Sequence, residues 1–110
     1  MLFRRKPSSL SPREASTHPD LQIVDVRTVQ EWRSGHVPEA KHIPLDELPG
    51  HLGELEVGQP VAFICQSGAR SKRATKIACH AGLDAINIDG GMLAWQRAGL
   101  PTSSHTEARS

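Results

Sequence analysis

The chain reads as an α/β protein of three layers, a largely parallel sheet with helices on both faces. Three observations predict this. Short apolar runs at Leu21 to Val26, Lys41 to Ile43, Val61 to Ile64 and Ala85 to Ile88 are separated by segments carrying helix caps. Strands divided by helices need crossovers, and crossovers give parallel neighbours. Val61, Ala62, Phe63 and Ile64 are apolar at every position rather than alternating, as a strand buried on both faces requires. Ala74, Ile77, Ala78 and Ala81 recur at i, i+3, i+4 and i+7, a stripe able to pack on a sheet.

The elements follow in order. Ser11 to Ala15 opens a short helix, with Ser11 as cap and Pro12 in its first turn. Leu21 to Val26 is a strand. Thr28 caps a helix that carries Glu31 and Trp32 and ends at Gly35. Lys41 to Ile43 is a short strand. Leu45 to Leu55 is helical, and Pro49 with Gly50 should break or bend it. The loop Glu56 to Pro60 leads into the strand Val61 to Ile64. A helix runs from Ser71 to Gly82, Ala85 to Ile88 is the last strand, and Met92 and Trp95 share the core face of a final helix. Residues 1–9 are expected as a flexible basic end around Arg4, Arg5 and Lys6. Residues 10–101 form one domain, and 102–110 a small polar tail without order.

Composition narrows the function. One domain of 110 residues buries a modest core and no second one. A formal net charge of +1 gives no nucleic-acid surface. No apolar stretch approaches membrane-spanning length. Met1, Leu2 and Phe3 before the arginines are too short for a secretory apolar region, so a cytoplasmic setting is expected. The six histidines are scattered and none pairs with Cys65 at ligand spacing, so no metal is called for. Gly90 and Gly91 suit close passage of the chain before the last helix better than a phosphate loop.

The chemistry concentrates at Cys65. It sits at the carboxyl end of a strand, on the loop into a helix N-terminus, where open α/β sheets place their sites. A buried structural thiol is the plain alternative. The loop argues for reactivity. Gln66, Ser67, Gly68, Ala69, Arg70 and Ser71 include no proline, so each keeps an N–H to aim at an anion. Gly68 can take a positive φ, Arg70 adds a full charge, and the helix adds a partial one. Asp25 and Arg27 belong to the mouth of the same site, two residues apart on one side of a strand end. Arg27 either faces the anion or pairs with an acidic neighbour; Asp25 is an acceptor for loop N–H groups. His36 fixes the turn before Val37 and Pro38 rather than acting as base. Lys72, Arg73 and Lys76 are a solvated face or a lure for anionic donors. Cys79 should lie roughly 12 Å or more from the start of its helix, beyond the reach of about 7 Å that a disulfide with Cys65 needs.

The loop from Cys65 to Ser71 resembles the active-site loop of the rhodanese family of sulfurtransferases. Asp25 to Arg27, Glu31 with Trp32, and Gly35 to Leu45 resemble the family's first signature. Gly90 with Gly91, Ala94 with Trp95, and Gly99 to Pro101 resemble its closing one. Glu39 stands where glycine is usual and His42 where asparagine is. The resemblance covers about residues 10 to 101 and implies five strands, with the cysteine strand near the middle. It also implies sulfur transfer. Cys65 thiolate takes a sulfane sulfur from a small anionic donor such as thiosulfate or a persulfide, and a thiol or cyanide acceptor removes it. The expected roles are Cys65 as nucleophile, Gln66 to Ser71 around the substrate, and Asp25 and Arg27 in support, with no organic cofactor. A carrier that receives persulfide from a partner protein uses the same residues. Relatives that hydrolyse phosphate or reduce arsenate have one more residue between cysteine and arginine. The four found here make a smaller cup, suited to a single sulfur atom.

Overall fold

A computed structural model describes residues 9–104. The chain runs β1 (Ser9–Leu10), α1 (Pro12–Thr17), β2 (Gln22–Asp25), α2 (Val29–Arg33), β3 (Lys41–His42), α3 (Leu48–His51), β4 (Val61–Ile64), α4 (Ala69–His80), β5 (Ala85–Ile88) and α5 (Gly91–Arg97). The five strands pair in the order β1-β5-β4-β2-β3, every pair parallel. β4 is therefore central, and all four of its residues are buried. Among the described residues, the one antiparallel contact is a bridge from His36 to Ser103.

Alternation along β4 divides its side chains between two cores. Val61, Phe63 and Cys65 pack with Val24, Val26, Leu48, Ala74 and Ala78 on the side of α3 and α4. Ala62 and Ile64 pack with Ala15, Ile86, Ile88, Met92 and Trp95 on the side of α1 and α5. Both faces of the sheet are thus covered, and the loops after β2, β4 and β5 gather at one end. No helix among the described residues is long and apolar enough to cross a membrane.

Local signals explain most elements. Ser11 and Thr28 each form a full capping box, with Glu14 and Glu31 reaching back to the cap N–H. The expected helix over 45–55 is three pieces: a 3-10 turn at Leu45–Glu47, α3, and a second 3-10 turn at Leu52–Glu54. The segment is thus interrupted, as expected, but on either side of Pro49 and Gly50: Pro49 falls in the first turn of α3, where its missing N–H costs nothing. Helix α4 starts at Ala69, two residues earlier than the sequence suggests, because Gly68 turns the chain at φ +118°. β1 is the fifth strand that the resemblance implied but that was not placed in the sequence. Its two residues pair with Asn87 and Ile88 of β5. The order extends past Pro101 as well: Ser103 and His36 exchange two backbone hydrogen bonds of 2.9 and 2.8 Å. The basic cluster Arg4 to Lys6 and residues 105–110 of the expected tail lie outside the described residues. Glu39, where glycine was expected, takes φ +67°.

Candidate active site

Cys65 follows the last residue of β4 and shares the face of Phe63, toward α4. It is only 1% exposed. The left-handed Gly68 bends the chain from strand to helix within three residues. That bend folds loop amides back over the sulfur. The Gly68 N–H donates to Cys65 Sγ at 3.0 Å, and Ser71 Oγ lies 3.3 Å from it. The Ser71 hydroxyl is also placed to donate to the Gly68 carbonyl at 3.1 Å. Its one hydrogen cannot serve both. With a neutral thiol, the S–H donates to Ser71 and the hydroxyl to Gly68. With a thiolate, the hydroxyl turns to the sulfur.

Burial pushes the Cys65 thiol up. The Ser71 hydroxyl, then the N–H groups of Ser71, Gly68 and Ser67, outweigh that and leave it below its ordinary value. The loop carbonyls are drawn the other way. Met92 N–H donates to the Cys65 carbonyl at 2.8 Å, and Leu93 N–H to that of Gln66 at 3.1 Å. These α5 amides come close because residue 91 has no side chain. A Cβ there would lie 2.4 Å from the Cys65 carbonyl oxygen. The glycine pair thus permits the close passage expected of it.

Two arginines hold the loop from different sides. Arg27 is buried and forks onto Asp25, with Nε 3.0 Å from each carboxylate oxygen and Nη2 at 2.8 Å from Oδ2. Its Nη2 also donates to the Gly35 carbonyl at 2.7 Å, and its Nη1 to Gln66 Oε1 at 3.1 Å. Asp25 Oδ1 further accepts the Arg27 backbone N–H at 2.9 Å. Of the two settings open to Arg27, the structure has the acidic pairing, with Gln66 as its link to the cysteine loop.

Arg70 is in the first turn of α4 and makes two bonds to Glu31, Nη1 to Oε1 at 2.8 Å and Nη2 to Oε2 at 3.0 Å. The same Glu31 Oε1 accepts the Thr28 N–H at 3.0 Å. One carboxylate therefore caps α2 and ties down the reactive loop. Arg70 holds the Glu31 carboxyl at about 2, against its ordinary 4.5, with burial opposing and the Thr28 N–H assisting. Glu31 had been read as part of a helix and of the family's first signature, without a role at the cysteine loop. The capping spacing was visible in the sequence, but its partner 39 residues away was not.

The side chains of the remaining candidates stand apart from the sulfur. Ser67 and Ala69 are exposed at the loop surface. His36 is buried, stacks on Trp32 at 3.5 Å, and binds the Trp32 carbonyl through Nδ1 at 2.9 Å. A carbonyl only accepts, so Nδ1 carries the hydrogen. His42 also stacks on Trp32 and binds the Arg27 carbonyl through Nε2 at 2.8 Å. Both rings brace the loop after β2. Cys79 is exposed on α4, about 15 Å along the axis from Ala69 at 1.5 Å per residue. Among the described residues no three His, Cys, Asp or Glu side chains converge as a metal site requires.

Comparison with known proteins matches this chain to the family model described as a rhodanese-like domain, over residues 11–98. It is 38% identical over 94 residues to a protein named sulfurtransferase from Allochromatium vinosum, covering 84% of this chain and 87% of that one. It is 35% identical over 77 residues to the putative sulfurtransferase YtwF of Bacillus subtilis, covering 70% and 75%. The crystal structure of a rhodanese-like domain protein from Staphylococcus aureus superposes with a TM-score of 0.78 at 35% identity, covering 88% of this chain and 99% of that one.

Proposed function

The chain belongs to the rhodanese-like domain family, with relatives named sulfurtransferases, and from that membership we propose that it moves a sulfane sulfur through a persulfide on Cys65. The observation that carries this reading is the sulfur's own setting. Sγ sits at the N-terminus of a twelve-residue helix, with a backbone N–H at 3.0 Å and a hydroxyl at 3.3 Å. Such donors favour a charged sulfur over a neutral one.

Cys65 thiolate attacks the outer sulfur of thiosulfate or of a low-molecular-weight persulfide. A new S–S bond forms as the donor's bond breaks, and sulfite or a thiolate leaves with the electron pair. Cys65 then carries S–S⁻, whose terminal sulfur takes its hydrogen bonds from the loop amides between Gln66 and Ser71. An acceptor, cyanide or a thiolate, removes that sulfur and returns Cys65 to the thiolate. The step is two-stage covalent catalysis and gives ping-pong kinetics. In this scheme Arg70, turned toward Glu31, fixes the loop, and Asp25 with Arg27 fixes Gln66. The four residues between Cys65 and Arg70 favour a sulfur atom over a phosphoryl group.

The test is an intact-mass measurement. After incubation with thiosulfate the protein should gain one sulfur atom, lost again on adding cyanide. Cys65→Ser should abolish the gain and Cys79→Ser should leave it. A gain retained in Cys65→Ser refutes the assignment. A persulfide carrier would load from a protein donor and not turn over with thiosulfate.

A further inference from the structure

A groove of about 470 Å³ opens between α4 and the segment from Pro44 to Pro49. Its lining includes Val26, Leu45, Pro49 and Ile77, with Arg70 and Arg73 at its edge. Val26 and Arg27, which also line it, lead directly into the loop that braces Gln66. The groove is far larger than one sulfur atom or a small inorganic dianion, and Val26, Pro44, Leu45, Pro49 and Ile77 give it an apolar wall. It is the size that takes the side chains or stem of a larger molecule.

The adjoining face of α4 is charged on one side only. Lys72, Arg73, Lys76 and His80 are exposed and fall within an arc of about 100° at 3.6 residues per turn. The helix has no acidic residue. Arg70 is neutralised by Glu31, but Lys72, Arg73 and Lys76 have no acidic partner among the described residues. Asp46 is the carboxylate on the groove wall, with Glu47 next to it. The formal net charge of the whole chain is only +1, so this concentration of positive charge beside the reactive loop is local.

Resting on the persulfide reading above, we propose that this surface docks an acidic, thiol-bearing protein segment, with an apolar residue in the groove and carboxylates over Lys72, Arg73 and Lys76. Charge complementarity selects that occupant over a basic or neutral one. The docked thiolate attacks the outer sulfur of Cys65–S–S⁻. The S–S bond to Cys65 breaks as the new one forms, Cys65 leaves as thiolate, and the segment carries the persulfide. No outside oxidant or reductant takes part.

The probe is a short synthetic peptide with one cysteine, one leucine and a run of glutamates, set against a twin with lysines for glutamates. With thiosulfate-loaded protein at low ionic strength, the acidic peptide should gain sulfur about ten times faster than its twin, and salt should close the gap. In a Lys72→Glu, Arg73→Glu, Lys76→Glu variant, loaded with thiosulfate to completion before the peptides are added, the order of the two peptides should reverse. Equal rates for the two peptides overturn the proposal. Binding is also read by fluorescence anisotropy of the acidic peptide with serine for cysteine, which needs no sulfur chemistry. If Cys65 never loads, the persulfide reading fails and anisotropy alone decides the docking surface: preference for the acidic peptide supports it, and no preference overturns it.

Discussion

Replacing Glu31 by glutamine tests whether one carboxylate governs both the start of α2 and the reactive loop. The amide keeps the shape and can still accept from Thr28, but it loses the charge that Arg70 grips with two bonds. The carboxyl falls from 4.5 to about 2 on folding. At about 1.36 kcal/mol per unit this sets a ceiling near 3 kcal/mol. The pair is about a third exposed, at 36% and 32%, so solvent screening takes most of that away. A loss of about 1 to 1.5 kcal/mol at pH 7 is expected, more than the 0.2 to 1 typical of exposed pairs because the contact is bidentate. The sign with pH follows from the lowered value. The contribution is complete above about pH 5 and fades as pH falls from 4.5 toward 2. Urea denaturation of both proteins across that range is the assay. The gap between them should be constant above pH 5 and shrink in acid. A gap under about 0.3 kcal/mol at pH 7, or one that acid leaves intact, refutes the reasoning.

Three further outcomes are expected. Ser71→Ala removes the hydroxyl that favours the charged sulfur, so the pH midpoint for alkylation of Cys65 by iodoacetamide should rise; an unchanged midpoint would mean the backbone amides suffice. Gly91→Ala puts a Cβ against the Cys65 and Gln66 backbone at φ +60°, and should cost about 2 to 4 kcal/mol in thermal or urea unfolding while slowing alkylation of Cys65. Glu39→Gly relieves a left-handed residue, worth about 1 to 2 kcal/mol, against roughly 0.4 to 1 kcal/mol of extra chain entropy. The net should be a gain of about 0.5 to 1 kcal/mol in urea, and any loss would show that the Glu39 side chain contributes more than its strained backbone costs.

The parts legible in the sequence were those carried by local chemistry. Ser11 and Thr28 mark helix starts because capping needs a particular side chain at a particular spacing. The unbroken apolar run of β4 announced its central place, and the loop after Cys65, free of proline and bulk, announced that its amides could fold back toward the sulfur, as the Gly68 N–H does. The resemblance supplied the strand count. The start of α4 was read two residues late because Ala69 and Arg70 carry no start signal; Gly68 supplies it through its backbone angle. β1 was missed because two residues have no period, and its pairing depends on β5, nearly eighty residues on. The break or bend expected at Pro49 and Gly50 falls just outside the pair, because proline interrupts a helix interior but suits a first turn. Partner choice was the least visible. Nothing near Arg70 in the chain indicates Glu31, and nothing near Arg27 indicates Gln66; only the fold sets them together.

The two hydrogen bonds from Met92 and Leu93 to the carbonyls of Cys65 and Gln66 bear on how the protein matures. Synthesis delivers the cysteine more than twenty residues before the amides that restrain its carbonyls. During synthesis β4 and Cys65 emerge before these two amides, so the carbonyls of Cys65 and Gln66 gain their restraint only once α5 has formed and docked.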